Sequence, residues 1–332
     1  MTIEHPYLLF LGDAADPLAA KTAQGVAHWR PEWCLGQFRL PGCRADIGLP
    51  DMTLEEAARA GARTLVVGVA NRGGVLAPTW VAALETALRL GMDIASGLHN
   101  RLGDVPALAA LAAEHGRRLI DVRHPTRTFE VANGRKRPGK RLLTVGTDCS
   151  VGKMYTALAI EKEMRARGMK ADFRATGQTG ILIAGDGVSV DAVVADFISG
   201  AVEWLSPAND PDHWDVIEGQ GSLFHASFAG VSLGLLHGAQ PDALVLCHEP
   251  TRTHMRGLPD YGVPDLKVCL EANEAAARLT NPAARCVGIS VNTSQMAPEA
   301  AADLLARISD DLGLPTVDAF KDGVAPIVDR LI

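Results

Sequence analysis

Aromatic side chains are scarce in this 332-residue sequence: Phe, Trp and Tyr make up 5% of it, too few for the stacked rings that hold single-stranded nucleic acid. A formal net charge of −7 points the same way, because a phosphate backbone or an anionic membrane would be repelled, although a local anion pocket on an acidic protein stays open. No CxxC spacing occurs among Cys34, Cys43, Cys149, Cys247, Cys269 and Cys286, so neither a disulfide frame nor a zinc site is indicated, and no metal is expected. No apolar run is long enough to span a bilayer, and the chain does not open on a basic stretch followed by an apolar core and a cleavage site. The expectation is a cytoplasmic protein with neither membrane nor nucleic acid as partner. What is present, 47% hydrophobic and 21% charged residues, suits an enzyme of two α/β domains, each able to bury a core.

The rest of the chain is organised around residues 141–168, RLLTVGTDCSVGKMYTALAIEKEMRARG. Leu142, Leu143 and Val145 suit a buried parallel strand, and beyond Lys153 the apolar Ala157, Ile160 and Met164 recur at helical spacing. A loop between such elements directs amides and the positive end of a helix dipole at one point, which makes an anion site. Gly146, Thr147, Asp148, Cys149, Ser150, Val151, Gly152, Lys153 and Met154 are therefore candidate phosphate-binding residues. Two departures from the usual pattern matter. Five residues rather than four separate Gly146 from Gly152, and Met154 stands where an NTPase carries the Ser or Thr that ligates magnesium. A thioether is a poor ligand for so hard a cation, so phosphate binding is supported while ATP with Mg2+ is not expected.

Residues 1–125 read as a small domain of alternating strands and helices, with TLEE at residues 53–56 in capping-box spacing. Arg72, His99 and Arg101 lie in loops after strands, where doubly wound sheets place their ligands. Residues 126–140, with Pro125 just before them, Pro138 near their end and a basic run, read as a solvated linker, and residues 141–332 as the second domain. After the strand at 171–175, the loop at 176–180 is expected beside the phosphate loop, with Thr176, Gln178 and Thr179 as donors to a ligand or a phosphate oxygen.

The strand at 215–217 ends in EGQGS, an acidic residue before a glycine turn. Glu218 is thus a metal ligand, a general base or a partner of Lys153, and Met154 weakens the first of these; Gln220 in the same turn is a candidate substrate contact. The strand at 242–247 ends in HEPTRTHMRG, where Arg252 and Arg256 are candidate carboxylate forks and His248 and His254 candidate bases. Asn292, after the last secure strand, is a candidate contact for a nucleotide base.

GTDCSVGK resembles the phosphate loop of dethiobiotin synthetase, an ATP-dependent enzyme whose EGxGG turn is similar to the one at Glu218. More extensively, GTDCSVGKM, ATGQTGILIAGDG, IEGQGSLFH, LVLCHEPTRTHMRGLPDY and GISVNTS resemble one bacterial family once known only as a domain of unknown function, with SGLHNRL matching more loosely in the first half. The resemblance implies an N-terminal Rossmann-like and a C-terminal P-loop domain, each with a parallel sheet, and an activity: some members transfer the acetyl group of acetyl-CoA to D-glutamate. Coenzyme A carries phosphates that need cradling and no hydrolysis, which fits Met154. The base is then Glu218, His248 or His254, the carboxylate contacts are Arg252 and Arg256, and P-loop relatives imply a homodimer. An ATP-dependent ligase or kinase like dethiobiotin synthetase is the alternative.

Overall fold

The computed structural model describes residues 2–70 and 74–332, so Arg72 lies outside the described residues. Two compact units form: residues up to 126 together with 177–192, and residues 127–176 together with 193–332.

In the first unit, β1 (Tyr7–Gly12), β2 (Cys34–Arg39), β3 (Thr64–Val67), β4 (Asp93–Ser96) and β5 (Leu119–Asp121) make an all-parallel sheet in the order β2-β1-β3-β4-β5, a doubly wound arrangement. β1 is apolar throughout because both of its faces are covered. The helices are α1 (Lys21–Trp29), α2 (Leu54–Arg59), α3 (Pro78–Arg89) and α4 (Pro106–His115). α2 begins with the expected capping box: Thr53 Oγ1 accepts from Glu56 N at 3.1 Å, and Glu56 Oε2 accepts from Thr53 N at 2.8 Å. Trp80 of α3 is buried against Phe10, and its indole N–H donates to Asp13 at 2.8 Å. Gly12 passes that ring with φ +53°, and a Cβ there would meet the indole at 2.9 Å.

The second unit contains β6 (Lys140–Gly146), α5 (Lys153–Ala166) and β7 (Ala171–Arg174). The next helix, α6 (Gln178–Ala184), belongs to the first unit, where its buried Ile181, Leu182 and Ile183 join the cover and Gly185 O accepts from Ile3 N at 2.8 Å. The expected ligand loop at 176–180 is therefore mostly the opening turn of a helix. Its run of apolar residues is helical cover rather than a second glycine loop. The second unit resumes with α7 (Ile198–Leu205), β8 (Trp214–Ile217), α8 (Ala229–Ala239), β9 (Ala243–His248), a hairpin of β10 (His254–Met255) and β11 (Leu258–Gly262), α9 (Leu266–Arg278), β12 (Arg285–Val291), α10 (Pro298–Leu312), β13 (Thr316–Val317) and α11 (Ala325–Val328). Its six-stranded sheet, β13-β12-β9-β6-β8-β7, is parallel throughout, with β6 between β9 and β8. Among the described residues no helix is long and apolar enough to cross a membrane.

Residues 127–140 are not a solvated hinge. Glu203, buried in α7, accepts from Asn133 N at 2.9 Å and Gly134 N at 3.0 Å, and Arg137 donates to Ser206 O and Gly238 O at 2.8 Å each. Burial lowers the Arg137 pKa to about 10, and burial likewise lowers that of Arg141, whose guanidinium donates to the carbonyls of Arg137, Pro138 and Pro207. The basic run thus fastens the start of β6 to α7 and α8, because buried guanidinium groups need several acceptors. At Gly200 a Cβ would stand 1.8 Å from Glu130 O, so the segment is laid directly on α7. Gly200→Ala is expected to lower stability by about 3 kcal/mol, the upper range for overpacking; urea denaturation with an unchanged midpoint would show that the segment is loosely held.

Candidate active site

Gly146 closes β6, and the chain then wraps tightly to the start of α5. The wrap needs two residues in the left-handed region, Ser150 at φ +54° and Gly152 at φ +102°. Gly146 serves differently: a Cβ there would meet Val151 Cγ2 at 2.8 Å and Lys153 Nζ at 3.2 Å, so its missing side chain is the space the loop occupies. No side chain caps α5 at Gly152, which leaves the start of the helix to a ligand. Lys153 is buried, with Nζ 2.8 Å from Asp148 O, and burial lowers its pKa although Cys247, Cys149, Asp148 and Glu218 oppose the shift. Met154, half-buried in the first turn, supplies no hydroxyl.

Asp148 is the centre of the loop's own hydrogen bonding. It is fully buried; Oδ1 accepts from Cys149 N at 2.6 Å, and Oδ2 accepts from Arg252 Nη1 at 2.6 Å and Arg256 N at 2.9 Å. Burial alone would raise its pKa, but these donors outweigh it and hold the carboxyl below the usual range. Arg252 completes a latch: Nε donates to Glu249 Oε2 at 2.9 Å, Nη1 to Cys149 O at 2.6 Å and Nη2 to Ser150 O at 2.8 Å. Glu249 is steadied in turn by Thr251 N and Oγ1. The guanidinium expected to meet a substrate carboxylate is engaged within the protein on all three nitrogens. Arg256 differs, because its exposed guanidinium donates only to Ser150 Oγ among the described residues.

The remaining candidates separate by environment. His248, at the end of β9, sits with Nδ1 3.0 Å from Thr147 Oγ1, and burial lowers its pKa, so the ring is neutral at pH 7. His254 lies exposed on the β10–β11 hairpin, 3.3 Å from Thr253 Oγ1. Glu218, buried at the end of β8, accepts from Thr176 N at 3.0 Å and from Gln220 Nε2 at 3.1 Å, while Thr176 Oγ1 donates to Glu218 O at 2.6 Å. Gly219 brings this turn against the loop, since a Cβ there would lie 1.7 Å from Thr144 O and 3.0 Å from Lys153 Cδ. Asn292 N donates to His248 O at 2.8 Å, so it joins the same sheet edge. Gln178 and Thr179 lie in the first unit, with Gln178 beside Gly97. His99 and Arg101 also belong to that unit.

Sequence reasoning missed Glu249 and His225. His225 is buried; Ser227 N donates to its Nδ1 at 3.1 Å, which leaves Nε2–H to donate to Arg256 O at 3.1 Å. Its atoms lie near those of Asp148 and Cys149, a grouping with the composition of a metal site. Here the carboxylate already accepts a cationic donor and both imidazole nitrogens are engaged, so the cluster does the work of a brace. Burial also raises the Cys149 thiol pKa, which removes it as a thiolate nucleophile.

Known proteins bear on this arrangement. A profile described as a domain of unknown function, DUF1611 C-terminal P-loop domain, matches residues 130–328, and its partner, the DUF1611 N-terminal Rossmann-like domain, matches residues 38–125. The chain belongs to the DUF1611 family. A crystal structure of a DUF1611 family protein from Anabaena variabilis superposes with a TM-score of 0.85 at 31% identity, covering 99% of each chain. The chain is 59% identical over 329 residues to a D-glutamate N-acetyltransferase of Tritonibacter scottomollicae, covering 99% of each. It is 54% identical over 331 residues to a D-glutamate N-acetyltransferase of a Pseudoalteromonas species, covering all of both. Full-length similarity at this level makes this DUF1611 protein an N-acetyltransferase.

The latch predicts an acid sensitivity. Because the folded Asp148 pKa lies below its unfolded value, the pair's contribution is complete above about pH 4 and is lost as pH falls through the folded value. Arg252→Ala leaves a buried carboxylate without its partner and should cost about 3 kcal/mol at neutral pH, with the acid-unfolding midpoint moving to higher pH. Circular dichroism across an acid titration measures both; superimposable curves would show that Asp148 does not depend on Arg252.

Proposed function

We propose that the protein transfers the acetyl group of acetyl-CoA to the amino group of D-glutamate. The full-length similarity to two proteins of that name carries the reading, and the geometry supports it. The loop of residues 146–153 offers amides, an uncapped helix start and Lys153 to the phosphates of coenzyme A, and Met154 leaves out the hydroxyl that magnesium chemistry uses.

In this reading a neutral amine attacks the thioester carbonyl, the C–N bond forms, the C–S bond breaks, and coenzyme A leaves as a thiol. His248 is the base. In the tautomer whose Nδ1–H donates to Thr147 Oγ1, Nε2 presents a lone pair to the ammonium proton, and the depressed pKa keeps that lone pair available at neutral pH. Glu218 is already engaged by Thr176 and Gln220, so it orders the loop neighbouring Lys153 instead. The exposed Arg256 is the contact for a substrate carboxylate, and Arg252 holds the loop that Arg256 borders. No enzyme nucleophile is needed.

A second reading, ATP-dependent ligation, draws on Glu218 standing at the end of the strand beside β6 with Gly219 against Lys153. One assay separates the two: release of coenzyme A thiol with D-glutamate, L-glutamate, D-aspartate and D-glutamine as acceptors, beside phosphate release from ATP with magnesium. D-Glutamate should give the fastest thiol release; ATP turnover without thiol release would replace the acetyltransferase reading. His248→Gln should lower kcat by about 10²–10⁴-fold. In the parent, kcat should fall only as pH drops below about 6.5, the ordinary histidine value, because the folded pKa is lower still. An acid limb above that value would exclude His248 as the base.

A further inference from the structure

The turn after β13 holds an apolar side chain in water with unusual care. Asp318 is buried; Oδ2 accepts from Thr293 N at 2.9 Å and Thr293 Oγ1 at 2.6 Å, and Oδ1 accepts from Phe320 N at 3.0 Å and Lys321 N at 3.3 Å. Lys321 Nζ donates back to Thr293 O and Oγ1, at 2.9 Å each. This closed set of bonds fixes the backbone around Phe320, yet the Phe320 residue is 68% exposed. A turn free to relax would fold such a ring inward, because leaving a Phe side chain in water forfeits its transfer free energy.

The ring's location narrows what covers it. β13 pairs with β12, β12 with β9 and β9 with β6, so the turn after β13 lies at the same carboxyl edge of the sheet as the phosphate loop. Tyr155, two residues beyond Lys153, meets Phe320 edge to face with ring centroids 6.2 Å apart. Asn292 follows β12 on the same edge; its carboxamide oxygen accepts from Ser294 N at 3.1 Å, so its N–H2 is the end it offers to a ligand. A flat π-surface against Tyr155 of α5, the helix that the phosphate loop opens, and an amide donor on the same sheet edge match a purine nucleotide. Adenine has ring nitrogens that accept hydrogen bonds and a face that stacks on aromatic rings.

We propose that Phe320 is the stacking platform for the adenine ring of coenzyme A, with Asn292 N–H2 donating to a ring nitrogen. The proposal rests on the acetyl-CoA reading and adds to it the residue that distinguishes the whole cosubstrate from its pantetheine arm. Isothermal titration with free coenzyme A and with 4′-phosphopantetheine, which lacks the adenosine, tests it on the full-length chain. Phe320→Ala should weaken coenzyme A binding about tenfold or more, within the range of one lost base–aromatic stack, and leave 4′-phosphopantetheine binding unchanged. Phe320→Trp should restore the affinity. Equal coenzyme A affinity in the parent and Phe320→Ala, or an equal loss for both ligands, would overturn the platform. Failure of the parent to bind coenzyme A at all would overturn the acetyl-CoA reading itself, a distinct result. Since Phe320 is at the surface, matching thermal melts of parent and variants establish that folding is unaffected.

Discussion

A carboxylate with no contact to water, Asp148, needs compensation, and the C-terminal unit is arranged to provide it. Transfer of an ionised group from water into protein costs several kcal/mol unless charge and hydrogen bonds replace the lost solvation. Arg252 supplies the charge, the backbone of Arg256 and Cys149 supplies further donors, and Glu249 balances the guanidinium. Because Arg252 follows β9 and Asp148 follows β6, neighbouring strands in one sheet, the pair ties two strand ends together across the phosphate loop. The loop is thereby shaped before any ligand arrives, so less ordering remains for binding to accomplish.

The same economy explains the division of labour between chemically similar residues. Two arginines four positions apart serve as brace and as exposed donor because one faces carbonyl groups and a carboxylate and the other faces solvent. His248 is half-buried against Thr147, where burial depresses its pKa beside the loop, whereas His225 is locked by two hydrogen bonds and His254 is exposed. Environment, more than residue type, assigns each its chemistry.

Much of this was legible in the sequence. The strand, loop and helix around Lys153 announced themselves through apolar periodicity and two glycines, and the capping box at Thr53 through spacing alone, since both signals are local. The Arg252–Asp148 pair joins positions 104 residues apart, and no local pattern reports such a partner. For the same reason a basic, proline-bearing run at 127–140 read as solvated linker: the buried acceptors of Arg137 lie in α7 and α8, far along the chain. Residues 176–180 read as loop because Gly177 and Gly180 suggested turns, whereas Gln178 already opens α6 and its neighbours in space set its state.

That helix has a consequence for how the protein comes into being. Residues 177–192 belong with the N-terminal unit, although the chain has by then laid down β6, α5 and β7 of the other. A ribosome that has released residue 126 has therefore not yet released the first unit, whose cover is incomplete until some sixty more residues emerge. Maturation of the two units is interleaved in time, and neither corresponds to a single continuous stretch that recombination could move elsewhere intact.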